Sequence, residues 1–224
     1  MSTVETAQTR VLIVESHPPT LEFLSHVVAG AADLELVGAT TRIDEALTMT
    51  PLGAPDVLLL DYCTTDTEGV GALRDLCDSC GTAKVILLKG VGDQDLLVRA
   101  IDIGSTGVLA KNSAVGDVLA AVRSAAAGAV VVRCDHVSEM LEWLPRMGPS
   151  HMQWLSEQEH AVLALLSREY SEEGIAAQLL VTRSTVRCHV ANIVSKLGVN
   201  SKLEAVVLAM RANMTTPVLR LRSA

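Results

Sequence analysis

Charged side chains follow four apolar runs of the sequence, at the point where each run ends. Glu15 and Ser16 follow the first run, Asp61 the third, Lys89 the fourth and Lys111 the fifth. If these runs are parallel strands of one sheet, their carboxyl ends meet at the same edge. Two carboxylates and two ammonium groups would then lie together, an arrangement typical of sites with shifted pKa values. A solvated ring of charges at a sheet edge is the alternative interpretation.

A second set of polar side chains lies between Thr182 and Gly198, residues that suit the N-cap and the C′ position of a helix. Apolar residues recur there at spacings of three and four, which predicts one buried helical face. The opposite face carries hydrogen-bond donors: Arg187, His189, Asn192, Ser195 and Lys196. A short helix over Ile175–Leu180 and a tight connection precede this segment. Such a pair is typical of a helix-turn-helix in a major groove, and an ordinary amphipathic surface helix is the alternative.

The elements that must position the first set alternate between strands and helices over residues 11–128. The predicted strands are Val11–Val14, Leu34–Thr40, Asp56–Asp61, Lys84–Leu88 and Gly107–Ala110, and the predicted helices cover residues 20–30, 43–49, 70–76, 94–103 and 115–127. Strands this continuously apolar are buried on both faces, as in parallel sheets covered by helices. The sequence therefore predicts an α/β domain, a five-stranded parallel (βα)5 unit, over residues 8–128.

Capping residues predict an all-α domain of four helices over residues 154–213. Ser156 and Glu159 have the spacing of a capping box. Ser171, Thr182 and Ser201 are placed to cap the next three helices. Residues 129–153, which contain Pro145, Gly148, Pro149 and a short helix over 137–144, are predicted to be a linker. Residues 214–224 form a tail.

Charge and cysteine content narrow the class of protein. The net charge is −8, but residues 1–150 carry 20 acidic and 10 basic side chains, whereas residues 151–224 carry 6 and 8. An acidic body and a mildly basic end suit two domains with different partners. Five scattered cysteines and the lack of an export signal or a long apolar run predict a cytoplasmic protein that contacts no membrane. Cys77 and Cys80 are predicted to be free thiols.

Both halves resemble parts of one known family. The runs Leu155–Glu159, Ser184–His189 and Lys196–Val199 closely resemble a LuxR-type DNA-binding domain. Residues 1–128 resemble a response-regulator receiver domain through Asp61, Gly69, Lys111 and the strand order. Together they resemble the NarL/FixJ family of bacterial transcriptional regulators. The resemblance implies that the protein is a regulator and not an enzyme. It implies that the regulator binds double-stranded promoter DNA and forms a homodimer or a heterodimer with a related regulator. It also implies that a sensor kinase supplies the signal.

The resemblance also implies which side chains contact DNA. They are Arg183, Ser184, Thr185, Arg187, Cys188, His189, Ala191, Asn192 and Lys196. A bidentate contact of Arg187 with guanine is worth about 1–3 kcal/mol of discrimination. Carboxylates at Glu172 and Glu173 should weaken binding to phosphates. The last helix is implied to be the dimer face through Leu203, Val207 and Met210, with packing inside the domain as the alternative.

The first domain departs from the receiver pattern where phosphorylation chemistry is done. A receiver holds Mg²⁺ with two acids after its first strand, and Ser16 replaces the second of them. Lys89 stands where the family has a hydroxyl residue, and Val108 replaces an aromatic residue. We therefore predict no cofactor, pairing of Lys89 with Asp61, and weak or absent phosphorylation of Asp61.

Three other functions stay open at this stage. One is a conventional regulator that is activated by phosphorylation at Asp61. Another is a heterodimerising partner of a second regulator, with little DNA binding of its own. The third is an enzyme that uses Asp61 as the nucleophile of phosphoryl transfer or hydrolysis, and the hydroxyl of Ser16 at a metal-ligand position counts against it.

Overall fold

Six strands form one parallel sheet in the first half of the chain. The computed structural model describes residues 8–61, 75–90, 100–101, 103–133 and 149–212. The strands are β1 (Thr9–Val14), β2 (Leu34–Thr40), β3 (Val57–Asp61), β4 (Lys84–Lys89), β5 (Gly107–Ala110) and β6 (Val131–Arg133). Their order is β2-β1-β3-β4-β5-β6, and every pairing is parallel. The predicted α/β class is confirmed, and its first five strands lie where the apolar runs predicted them.

Helices cover both faces of this sheet because alternate strand residues point to opposite sides. On one face α1 (Pro18–Ala29) and α3 (Val115–Ala126) pack on residues such as Ile13 and Leu59. On the other face α2 (Ile43–Gly53) joins a cluster that includes Leu12 and Leu60. The strands are buried on both sides, which is why they are apolar at almost every position.

Two helix boundaries differ from the prediction for local reasons. Helix α1 begins at Pro18 rather than Thr20, since a proline in the first turn needs no backbone donor. Helix α2 continues through Pro51 to Gly53. Pro51 cannot donate to the carbonyl of Leu47, and the hydroxyl of Thr50 donates to that carbonyl instead, at 3.1 Å.

Strand β6 corrects the predicted five-stranded sheet. It lies in residues that the sequence assigned to the linker, and it pairs in parallel with β5. Three residues are too few to show strand periodicity, so the pattern gave no sign of it. Gly107 makes the pairing possible, because a Cβ there would lie 2.2 Å from the carbonyl oxygen of Val131.

Parts of three predicted helices lie outside the described residues. Within the described ranges, residues 75–79 and 100–101 are helical, which agrees with the ends of the helices predicted over 70–76 and 94–103. The remainder of those helices, the helix over 137–144, Gly69 and the tail lie outside the described ranges.

The second half is the predicted set of four helices. They are α4 (Glu157–Leu166), α5 (Glu172–Leu179), α6 (Arg183–Leu197) and α7 (Lys202–Arg211), preceded by a 3₁₀ helix over Pro149–Trp154. Each predicted N-cap side chain accepts a backbone hydrogen bond at 3.1 or 3.2 Å. Gly198 ends α6 in the left-handed conformation with φ of 67°. The local signals therefore determined all four helices.

The two halves contact each other at the edge strand β6 and at the residues just before it. Arg133 of β6 donates from Nε to Glu169 Oε2 at 2.9 Å, and Lys202 Nζ donates to the carbonyl of Gly128 at 2.5 Å. One apolar cluster also continues from the sheet into the helical half. Among the helices in the described ranges, none is both long and apolar enough to span a membrane.

Candidate functional sites

The carboxyl ends of β1, β3 and β5 bring three charged side chains into one acidic pocket. Glu15 and Asp61 are fully buried, and Lys111 lies between them. Lys111 Nζ is 2.8 Å from Glu15 Oε1 and 2.6 Å from Asp61 Oδ1. Ser16 donates to Asp61 Oδ2 from its backbone nitrogen at 3.2 Å and also from its hydroxyl. Four of the five residues singled out in the sequence are thus in mutual contact.

The electrostatics of the pocket are governed by burial and by this lysine. Burial raises the pKa of Glu15, and hydrogen bonds from Lys111 and from the backbone of His17 only partly offset it. Burial also lowers the pKa of Lys111, but the hydrogen bonds to Asp61 and Glu15 outweigh it and leave the pKa raised. Lys111 therefore stays charged, and it neutralises one of the two carboxylates.

Lys89 does not take the role that the sequence suggested. It ends β4 half-buried. Among the ion pairs of the described residues, the predicted Lys89–Asp61 pair is absent, and Lys111 holds Asp61 instead. Lys111 follows directly on β5, and its Nζ reaches both carboxylates. Val108 is buried inside β5.

The pocket residues fit Mg²⁺ poorly. This ion needs octahedral oxygen ligands and usually one or two carboxylates, and here both carboxylates already contact an ammonium group. Ser16 contributes a neutral hydroxyl that donates to Asp61. Glu15 Oε2 is a buried oxygen without a hydrogen-bond partner in the described chain, but it is a single ligand. No group of three potential metal ligands occurs among the described residues.

Helix α6 presents a continuous polar face to solvent. Its exposed residues recur in pairs along the helix: Arg183, Ser184, Arg187, Cys188, Ala191, Asn192, Ser195 and Lys196. Seven of these eight are among the nine predicted DNA contacts, and the other two, Thr185 and His189, are half-buried. Val186, Ile193 and Leu197 face the core of the domain. The arrangement leaves one side of α6 available for a groove.

Three basic side chains converge on one carboxylate beside this face. Arg187 Nε lies 3.0 Å from Glu172 Oε2, and Arg183 Nε lies 3.6 Å from the same oxygen. Lys202 Nζ is 3.5 Å from the other oxygen, Oε1. Burial would raise the pKa of Glu172, but Arg187, Lys202 and Arg183 lower it in total. Sequence reasoning treated Glu172 as a repulsive charge and missed these pairs, because no sequence period links α5 to α6.

Two further predicted DNA contacts, Lys196 and Thr185, also have structural partners. Lys196 Nζ donates to both carboxylate oxygens of Glu159, at 2.9 and 2.7 Å, so that the last turn of α6 is tied to the first turn of α4. The Thr185 backbone nitrogen donates to the N-cap hydroxyl of Thr182 at 3.1 Å. Lys196 therefore holds α6 on α4 within the domain, a role additional to the predicted contact with DNA.

The predicted dimer face is not free in the single chain. Leu203 is 1% exposed and Val207 is fully buried, while Met210 is half-buried and packs on the same cluster. These side chains point towards α4 and α6, since an amphipathic helix buries its apolar face in its own domain first. The alternative of packing inside the domain describes Leu203 and Val207 in the single chain, and the dimer face itself stays a prediction.

Cys77 and Cys80 are free and partly buried, as predicted. The pKa of Cys77 is raised to about 12, chiefly by burial and to a smaller extent by the charges of Cys80 and Asp78. A thiol with this pKa is almost entirely protonated at neutral pH and is a poor nucleophile.

Two protein families match the two halves. The family described as "Response regulator receiver domain" matches residues 11–123. The family described as "Bacterial regulatory proteins, luxR family" matches residues 153–209. The first match alone covers half of the chain.

Individual relatives agree with these matches over nearly the whole length. Transcriptional regulatory protein LiaR of Bacillus subtilis is 26% identical, over 92% of this chain and 98% of its own. Response regulator protein VraR of Staphylococcus aureus is 28% identical with the same coverage. Both names are those of regulators and not of enzymes. A response regulator RcsB–DNA complex is similar in fold, with a TM-score of 0.54 and 19% identity over 90% of this chain and 98% of that one.

Proposed function

Because this chain belongs to the bacterial response regulators that carry a LuxR-type DNA-binding domain, we propose that it binds promoter DNA through α6 and that phosphorylation of Asp61 contributes little to its control. The observation that carries the first part is the exposed face of α6, where Arg187, Asn192 and their neighbours point away from the core. A helix of this length with donors on its outer face can enter a major groove.

Independence from phosphorylation is supported by the contacts of the acidic pocket. Phosphorylation would replace the single negative charge of the Asp61 carboxylate with a phosphoryl group of about two negative charges, beside the buried carboxylate of Glu15. Lys111 is the cation within reach of both carboxylates, and Ser16 adds a neutral hydroxyl where a second acid would help to hold a metal ion. The developing charge is therefore poorly compensated.

Phosphorylation is tested by incubating the full chain with acetyl phosphate and MgCl₂, followed by intact-mass measurement. We expect less than about one tenth of the wild-type chains to gain a phosphoryl group, since Ser16 stands where a second acidic metal ligand would be needed. Asp61→Asn is the background control. Ser16→Asp restores a carboxylate beside Asp61 and is expected to raise the phosphorylated fraction. Stoichiometric phosphorylation of wild-type Asp61 would show that the conventional mechanism operates.

DNA binding is tested by fluorescence anisotropy with genomic fragments over a range of salt concentrations. A protein that neutralises phosphates loses affinity linearly on a log–log plot against salt. We expect Arg187→Ala to weaken binding and to relax the preference at one base pair. The helical half carries only a small positive charge, and we propose that two copies bind together. Sedimentation equilibrium with and without DNA measures this.

A second candidate function is a partner of another regulator that scarcely binds DNA itself. The observation that favours it is the pairing of Glu172 with Arg183 and Arg187, which takes positive charge away from phosphates. If the protein has this function, the chain alone binds no DNA fragment at any salt concentration in the anisotropy measurement. It binds only in a mixture with a second regulator.

A further inference from the structure

We propose that Glu172 is a positioning residue that sets the sequence specificity of α6, because it orients Arg187 for a base edge and withholds Arg183 from the phosphate backbone. The inference rests on the proposed binding of DNA through α6. The Glu172 carboxylate would then have two effects. It lowers the affinity of the protein for any duplex, and it increases the discrimination between duplexes of different sequence.

The carboxylate is itself held in place. The Glu172 side chain is only 16% exposed, whereas those of Arg187 and Arg183 are 63% and 55% exposed. Oε2 contacts the two arginines, and Oε1 faces Lys202, which is anchored on the carbonyl of Gly128. A carboxylate fixed on two sides, with its pKa lowered by these cations, is a constant anion at neutral pH.

The geometry leaves the reading end of Arg187 available. The contact with Glu172 is made by Nε, on the inner edge of the guanidinium group. The two terminal nitrogens lie at the outer end, and that pair can donate side by side to O6 and N7 of guanine. An arginine whose Nε is already bound loses less conformational freedom when it meets a base. The pair with Glu172 therefore favours base readout over unspecific contacts.

The same carboxylate opposes unspecific binding. Unspecific affinity comes from neutralised phosphates and the counterions that they release. Glu172 engages three of the basic side chains around the start of α6, so fewer positive charges are offered to a duplex that lacks the right base. A duplex that presents a guanine to Arg187 compensates for the lost phosphate contacts, because Arg187 can hydrogen-bond to that base. The difference between the two duplexes is larger than it would be without Glu172.

The test is Glu172→Gln in the full-length chain, with Glu173→Gln as the matched control. Glu173 is the next residue, is exposed, and loses the same charge when it is substituted. The probes are a duplex enriched from a random pool by the wild-type protein, its single guanine-to-adenine variants, and an unrelated duplex. Dissociation constants are measured at several salt concentrations. Arg187→Ala identifies the guanine that is read.

We expect Glu172→Gln to bind the unrelated duplex more tightly and to lose about tenfold of its preference for the enriched duplex, the scale of one bidentate Arg–guanine contact. Releasing Arg183 for one more phosphate should steepen the log–log salt slope by about one. Glu173→Gln should strengthen binding to all duplexes equally and leave the ratio and the slope unchanged. Glu172→Asp should recover most of the preference.

Two results overturn the inference, and they differ from a failure of the proposed function. An unchanged preference in Glu172→Gln, or an equal loss in Glu173→Gln, shows that Glu172 has no positioning role. If the wild-type chain binds no duplex at any salt concentration, DNA binding through α6 is itself wrong, and the inference falls with it. Thermal unfolding followed by circular dichroism checks that the variants fold.

Discussion

At the scale of single residues, Glu159 both caps one helix and holds another in place. Its carboxylate accepts the backbone N–H of Ser156 at 2.7 Å, which completes a capping box at the start of α4. It also accepts both hydrogen bonds from Lys196 of α6. Burial would raise its pKa, but the hydrogen bonds from Lys196 and Ser156 outweigh this and lower it. Glu159 is 3% exposed, so few water molecules could replace its hydrogen bonds if the carboxylate were removed.

We expect Glu159→Gln to lower the free energy of unfolding by about 1–3 kcal/mol at pH 7, since it removes a charged acceptor of several hydrogen bonds. A carboxylate whose pKa is lowered by folding stabilises the fold at any pH above its pKa in the unfolded chain, which is near 4.5. This contribution is lost as the pH falls through the pKa of the folded state. The gap between wild type and variant should therefore close in acid. Urea unfolding between pH 3 and pH 7 measures it.

Glu157→Gln is the matched control, because Glu157 lies in the same helical turn but is exposed. It should change the stability by less than about 0.5 kcal/mol, as surface substitutions usually do. A similar loss in both variants would mean that general charge at the helix start, and not the contacts of Glu159, stabilises the domain.

At the scale of elements, the edge strand β6 decides how the two halves meet. It adds a sixth strand beside β5, and its last residue, Arg133, contacts Glu169. The strand can lie there only because Gly107 has no side chain on that side, where a Cβ would lie 2.2 Å from the Val131 carbonyl oxygen. One glycine thus allows a pairing that also positions the contact between the halves.

Gly107→Ala is expected to destabilise the chain by about 1–3 kcal/mol, because backbone must shift to make room. Hydrogen exchange of the amides at 131–133 should speed up, as β6 separates from β5. Gly116→Ala is the control, since nothing lies within 4 Å of its Cβ position in α3. That change should stabilise by about 0.4–1 kcal/mol through the unfolded state. Normal exchange at β6 in Gly107→Ala would contradict the role given to the glycine.

At the scale of the whole molecule, the helical half docks on the side of the sheet that ends in β6. The pocket lies at the carboxyl ends of β1, β3 and β5, whereas the contacts between halves involve Gly128, just before β6, and Arg133 at its end. Arg133 and Glu169 form a half-buried pair with side chains 29% and 23% exposed. Because β6 runs parallel to β5, the contact through Arg133 lies at the same edge of the sheet as Lys111.

Arg133→Ala is expected to loosen the docking, because it removes the bidentate contact with Glu169. Small-angle X-ray scattering should show a larger radius of gyration. Arg123→Ala removes a similar double contact with Asp33, at 2.7 Å, on the exposed surface of one half. It should leave the radius unchanged, since this exposed pair lies within one half and contributes little to stability. Equal radii for all three proteins would show that the apolar contacts alone hold the halves together.

The sequence by itself determined the elements whose signals are local. Caps such as Ser156 and Thr182 fixed the starts of the four helices, because their hydrogen bonds span only three positions. Five strands were readable because burial on both faces makes them continuously apolar. The exposed face of α6 and the meeting of Glu15, Asp61 and Lys111 followed from periodicity and from the edge rule of parallel sheets. The wider family resemblance rested on these same residues.

Only the tertiary structure decided the partners of charged groups and the covering of apolar faces. Lys111 rather than Lys89 holds Asp61, Glu172 holds Arg187, and Leu203 packs inside its domain. The three-residue β6 likewise depended on a pairing surface supplied by β5. Each of these choices joins positions far apart in the chain. It depends on distances of a few ångströms after folding, and no local spacing in a sequence encodes such distances.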